Sequence, residues 1–419
     1  MDEFPLPSMS KESPVLRSTK MFTTAGVAAL LLVSGVGTAA AASLGSLAPG
    51  TPEPADPMRA CSEAEAEPVQ TKAVFNDPVA GDPAALMTAL CSLIKQAPAG
   101  SQIRIAHFVV SGAAGDDLAD VLIDAHRRGV AVQMVLDGWQ DDKPPAQRIL
   151  QELGTDRSRS SWLHVCSNVS PEGNTSSCLG TKGNHNKFVL FGETGGHRNV
   201  VMQSSANLTD VNSRTYWNNA VVLTGNDQQF GVYGRYFEEL SAETRTEATL
   251  GTIRTDMPGG PVEVYFSPVP EGDPVLDRLQ QLACGTTTRV GVAMSEIDDT
   301  RAAVVARLAE LSRQGCDVRI VHGPIGAESA ALLAAAPAAQ VRTLDAAELP
   351  GRVHSKYVVV DHGADSTAGW VTTGSQNWNH TSLRRNDETT LTLHRQDMVD
   401  AYRANFERLF DVARSTAPA

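Results

Sequence analysis

Two segments of the chain carry the same side-chain types in the same order. His185-Asn186-Lys187 is followed by Ser205-Ala206-Asn207, and His354-Ser355-Lys356 is followed by Ser375-Gln376-Asn377. The histidines and lysines recur at an offset of 169 (185 to 354), the serines and asparagines at 170 (205 to 375). An imidazole, an ammonium and a carboxamide, built twice, suit attack on a phosphodiester. That group is an anion, so cationic and amide donors are needed to hold it and to absorb the charge of the transition state. A nucleophile and a proton donor are needed as well, and histidine, with an unperturbed pKa of about 6.5, serves as either near neutral pH. The copies are not identical. The second continues to Asp361 and Glu388, where the first offers Gly192 and, by its strand pattern, Ala220. Glu388 reads either as a carboxylate that orients a catalytic imidazole or as a solvated strand residue.

The elements that must position these groups are legible around them. His-x-Lys has period two, so on a strand both side chains face one side. Phe188-Val189-Leu190-Phe191 and Tyr357-Val358-Val359-Val360 follow, apolar and β-branched or aromatic, and read as buried strands. Each histidine therefore stands where a core strand begins, a rigid mount for chemistry. A wider repeat surrounds the motifs. Residues 75–83 resemble 266–274 at a constant offset of 191, and residues 122–132 resemble 308–318. In the latter pair an amphipathic helix ends at Gly129 or Gly315 and a strand follows. Runs such as 103–110 and 130–136 alternate with helical ones. The expected fold is α/β: two units over 69–248 and 249–415, each a mixed sheet flanked by helices, packed about a pseudo-twofold axis over one shared cleft. A helix from Asp397 to about Val412 closes the second unit.

At these residues the chain resembles the phospholipase D superfamily of phosphodiesterases. That family's signature is His-x-Lys-x4-Asp followed by Gly-Ser-x-Asn, in two copies that form a pseudo-dimer. The second copy here matches in full through Asp361 and Gly374-Ser375-Gln376-Asn377, and Asn386-Asp387-Glu388 continues it in family style. The first departs at Gly192 and at Ser204, which stands in place of the glycine. The resemblance, over roughly residues 70–412, implies catalysis by His185, Lys187, Asn207, His354, Lys356 and Asn377, with Asp361 and Glu388 in support. It implies His185 as nucleophile and His354 as acid. Ser205 and Ser375 are expected to hydrogen-bond the backbone or the substrate phosphate. Neither lies in Gly-x-Ser-x-Gly, which argues against a serine hydrolase. His-x-Lys is a poor metal ligand pattern because the ammonium repels the ion. Neither metal nor cofactor is expected.

Composition narrows the class. The chain of 419 residues carries a net charge of −13, which disfavours a general nucleic-acid binder because such proteins need a basic face. The expected substrate is a phospholipid headgroup diester, met in transient contact with a membrane surface by a monomer. The remaining readings are a nuclease or other non-lipid phosphodiesterase of the same superfamily, or a degenerate binding module. Arg17 and Lys20 precede an apolar run, and Thr38-Ala39-Ala40-Ala41-Ala42 supplies a cleavage site before Ser43. Residues 1–42 thus read as an export signal for a secreted protein, or as an uncleaved anchor, since 22 residues can span a bilayer. Residues 43–68, rich in Pro, Ala, Glu and Gly, read as a disordered linker. The six cysteines suit three disulfides in an oxidising compartment, and the favoured pairs are Cys166–Cys178, Cys61–Cys91 and Cys284–Cys316.

Overall fold

The computed structural model describes residues 56–363 and 369–415. The expected export signal and the first half of the expected linker, residues 43–55, lie outside the described residues.

The strands of the first unit are β1 (Lys72–Phe75), β2 (Gln102–His107), β3 (Ala131–Leu136), β4 (Trp162–Val165), β5 (Lys187–Thr194), β6 (His197–Ser204) and β7 (Asn219–Leu223). They form one sheet in the order β1-β7-β6-β5-β2-β3-β4. The second unit contributes β8 (Ile253–Thr255), β9 (Val262–Ser267), β10 (Arg289–Met294), β11 (Asp317–His322), β12 (Gln340–Thr343), β13 (Lys356–Asp361), β14 (Trp370–Gly374), β15 (Glu388–Leu393) and β16 (Arg414–Ser415). Their order is β8-β9-β15-β14-β13-β10-β11-β12-β16. Without its edge strands β8 and β16, this repeats the first sheet strand for strand. In both sheets the run from β2 to β4, or β10 to β12, is parallel and the other pairings are antiparallel. The internal repeat is thus a repeat of topology.

Strand periodicity sorts the core. Along β5, Val189 and Phe191 face an outer core with Leu86, Leu90 and Ile94 of α1 (Ala85–Lys95) and Leu118 and Leu122 of α2 (Gly112–Arg127). Phe188 and Leu190 point the other way, into a core shared by both units. The second unit does the same: Val358 and Val360 face their own outer core, while Tyr357 and Val359 join the shared one. Alternating burial on both faces is what a central, doubly covered strand requires. The shared core is filled by Tyr233, Tyr236 and Phe237 of α3 (Asp227–Ala242) and by Tyr402, Phe406 and Phe410 of α4 (Gln396–Val412). α2 ends before Gly129 and the corresponding helix Ala302–Arg313 before Gly315, both glycines at positive φ, as the C-cap reading requires.

The linker reading needs one correction. Pro57–Arg59 and Ala60–Glu63 are helical. Cys61 is fully buried and bonded to Cys91, and the Asp117 carboxylate accepts the backbone N–H of Cys61 at 2.7 Å. A covalent tie and a capping carboxylate order a stretch whose composition alone reads as disorder. Cys166–Cys178 and Cys284–Cys316 pair as expected. The unreduced protein should show no alkylatable thiol by mass spectrometry, and reduction should lower its stability by roughly 2–4 kcal/mol per bridge. Six reactive thiols in the native chain would contradict the pairing. Among the described residues, no helix is long and apolar enough to cross a membrane.

Candidate active site

β5 and β13 each begin at a motif lysine, with the histidine two residues earlier. Their antiparallel neighbours β2 and β10 end at the same edge, pairing His107 with Lys187 and Met294 with Lys356. The lysines behave alike. Lys187 Nζ donates to its own motif carbonyl, His185 O, at 2.8 Å, and Lys356 Nζ donates to His354 O. Lys187 also lies 5.2 Å over the Phe108 ring, which packs edge-on against His185. Asn207 and Asn377 follow β6 and β14 at this edge, and the amide oxygen of each is buried without a partner.

The units complete each other. His185 Nδ1 lies 2.9 Å from both oxygens of Glu388, which comes from the second unit. His354 Nδ1 lies 2.8 Å from Asn218 Oδ1, which comes from the first. A carboxylate can only accept, so Nδ1 of His185 carries the proton and Nε2 is left with its lone pair. The Asn218 amide nitrogen donates to Asn212 Oδ1 and Tyr216 O, which turns its oxygen to His354 and fixes the same tautomer there. The half-sites therefore share geometry and differ in charge.

That difference shows in the electrostatics. Burial lowers the His185 pKa, and Glu388 works against the shift. Burial also lowers that of His354, aided by Lys356 and Lys187, and with no carboxylate opposing, it falls well below the ordinary range. Burial would raise Glu388, but His185 and Lys187 outweigh it and hold the carboxyl below its usual value. Burial brings Lys187 down to about 7. Burial and then Lys187 drive Lys356 well below its ordinary value. A bound anion restores the charge on such lysines, because an opposite charge nearby favours the protonated form. Sulfate binding at pH 8 should therefore take up protons, measured by calorimetry in buffers of different ionisation enthalpy. Proton release or no exchange would contradict depressed lysines.

The structure brings His185, Lys187, Asn207, His354, Lys356, Asn377 and Glu388 together, sets Asp361 apart from them and buries Ser205 and Ser375 behind them. Asp361 ends β13, and at about 3.3 Å per residue it stands roughly 16 Å from Lys356. There it pairs with Arg403 at 3.3 Å and accepts the Gly363 N–H. Its expected part in catalysis is thus corrected to bracing the far end of the strand. Gly192 sits at the matching far end of the first copy, so its departure from the motif leaves the site intact. Ser205 and Ser375 are fully buried, and of the two expected kinds of partner the structure gives them the backbone. Ser205 Oγ donates to Asn218 Oδ1 and accepts from Asn219 N–H; Ser375 Oγ accepts from Thr389 N–H and bonds to Glu388. The serines hold the residues that hold the imidazoles.

Asn218, Phe108 and His107 belong to the site but were missed by the sequence reading. The counterpart of Glu388 is Asn218 rather than Ala220. The offset of 170 that links the serines leads to it directly, and hydrogen bonding agrees: Ser205 N–H donates to Asn219 O as Ser375 N–H donates to Thr389 O. His107 is buried next to Lys187, and its histidine type was the available signal. Trp217 and Trp378 are core residues, while Tyr216 packs 5.4 Å from the His354 ring.

Two His-Lys-Asn half-sites joined by cross-unit hydrogen bonds define a class of phosphodiester-processing proteins. The chain belongs to the phospholipase D-like family: the model described as "Cardiolipin synthase, PLD-like domain" matches residues 90–241 and 279–410. No curated protein matches the sequence. Among solved structures, it is similar to the phosphatidylserine synthase of Haemophilus influenzae, with a TM-score of 0.60, 12% identity, and coverage of 86% of this chain and 92% of that one. It is also similar to the polyphosphate kinase of Porphyromonas gingivalis, with a TM-score of 0.52, 14% identity, and coverage of 82% of this chain and 50% of that one. The chain thus spans half the length of that kinase, and at such identities both likenesses concern the fold alone.

Proposed function

We propose that this chain is an exported phosphodiesterase that cleaves a phospholipid headgroup diester, by hydrolysis or by transfer to another alcohol, through a phosphohistidine intermediate. The observation that carries the reading is the pair of cross-unit contacts, His185 to Glu388 and His354 to Asn218, which keep the Nδ1 proton on each imidazole and leave Nε2 as the reacting atom. On His185 that atom is the nucleophile; on His354 it carries and returns the proton once the bound anion favours the protonated ring. His185 Nε2 attacks phosphorus, the P–O bond to the leaving alcohol breaks, and that alcohol takes its proton from protonated His354. Water then attacks phosphorus as His354 removes its proton, and the P–N bond breaks to restore His185. Splitting one displacement into two is the gain of covalent catalysis. Lys187, Lys356, Asn207 and Asn377 hold the phosphate oxygens, the role a metal fills elsewhere. The name of the matching family model supports a lipid diester, and three disulfides support export.

The purified chain should hydrolyse an aryl phosphodiester, and release headgroup from phosphatidylcholine or cardiolipin vesicles, in excess chelator. Activity lost on chelation and recovered with a divalent ion on the soluble substrate would overturn the metal-free reading. Turnover of the aryl diester with no vesicle substrate cleaved would overturn the lipid assignment.

A further inference from the structure

Directly before His185 runs a strap, residues 166–184, closed on itself by Cys166–Cys178. It belongs to the first unit, yet residues of the second unit hold it in place. Asp387 is fully buried, and its carboxylate accepts the N–H groups of Cys178 at 2.7 Å, Leu179 at 3.2 Å and Gly180 at 2.7 Å. Its main chain grips the strap's end: Asp387 N–H donates to Gly183 O and Asp387 O accepts from His185 N–H, each at 2.9 Å. The carbonyl of Arg385 accepts from Thr181 and Lys182, and a Cβ on Gly180 would collide with that same oxygen. From the first unit, buried Asp137 accepts Asn184 N–H at 2.9 Å. The other half-site has no such carboxylate. At the position matching Asp387 stands Trp217, whose indole donates to Pro350 O at 2.8 Å and whose carbonyl accepts His354 N–H.

We infer that Asp387 is a positioning residue for the reaction: by latching the strap of one unit to the strand of the other, it fixes the His185–Glu388 pair in register. Successive strand residues point to opposite faces, so Glu388 turns to the imidazole while Asp387 turns to the strap. One backbone link, Asp387 O to His185 N–H, then sets the spacing of nucleophile and carboxylate. Burial pushes the Asp387 pKa up to about 7 against the three N–H donors that converge on it, and above that value the carboxylate only accepts, which is what those donors need. Asparagine has the same shape but aims an NH2 group at one of those donors.

The inference rests on the proposed function for its kinetic readout and has a second readout that does not. In the full chain, Asp387→Asn should lower kcat on an aryl phosphodiester by about 10- to 100-fold, since small displacements of a reacting group cost this much, with KM changed less than about twofold. Titration of His185, followed by NMR, should move to lower pH as Glu388 loosens from it. The other groups around this imidazole, Lys187, Lys356, His107 and His354, stay in place. Gly180→Ala, which pushes the strap off Arg385 without touching a charge, should act in the same direction, and it decides the matter if the Asp387 variant does not fold. Folded Asp387→Asn and Gly180→Ala chains with the parent's kcat and His185 titration would overturn the inference. A parent chain inactive on every diester would overturn the function instead, while the NMR shift still decides the latch.

Discussion

Replacing His185 by asparagine should abolish turnover of every substrate, by about 10⁴-fold or more, because the covalent route loses its nucleophile. Replacing His354 by asparagine should produce a different defect. An aryloxide leaving group needs no proton, so one burst of product should appear, equal to the enzyme present. The second displacement then stalls, because water has lost its base. With a lipid alkoxide both steps need His354, and no burst should form. Equal residual activity of the two variants on both substrates would remove the division of labour between the histidines.

Glu388→Gln should lower turnover by up to about 10⁴-fold, the loss in kcat that follows when the carboxylate behind a catalytic imidazole is replaced by an amide. The sign of its pH effect follows from the contacts. Glu388 favours protonated His185 against the burial that lowers it, so its loss moves the His185 limb of the kcat/KM profile to lower pH. His354, backed by Asn218, is already well below its ordinary value, and its limb should hardly move. Asn218→Asp should raise the His354 limb and leave the other. The pair is coupled, so each limb is a macroscopic value, and the two substitutions together identify which is which. A Glu388→Gln enzyme with full activity and unmoved limbs would reduce the carboxylate to a structural part.

Much of this arrangement was legible beforehand for a simple reason. Strand burial on both faces leaves long apolar runs, so Phe188–Phe191 and Tyr357–Val360 stood out, and the histidines and lysines before them were placed at the correct edge. The repeat exposed the pseudo-twofold, and with it the idea of a shared cleft. What failed was reading a linear motif as a cluster in space. Asp361 is five residues beyond Lys356 in sequence and a whole strand away in the fold. Ser205 and Ser375 stand next to the asparagines in sequence, but their hydroxyls turn inward to the ladder. The sequence offers Glu388 as a partner for an imidazole but not which one, and Asp387 with the strap has no signature at all, since each contact joins residues about 200 positions apart. Asn218 was within reach by extending the offset of 170, but its amide lacks the charge that draws notice.

The central claim, a covalent intermediate on His185, is tested most directly by rapid quenching of the His354→Asn variant without acid, using a ³²P-labelled aryl phosphodiester, followed by peptide mapping. The account predicts an acid-labile, base-stable phosphoramidate label on the peptide that contains His185, and no label in the His185→Asn variant. Label on His354 in the His185→Asn variant would reverse the roles, and burst product from the His354→Asn variant with no labelled peptide would contradict covalent catalysis.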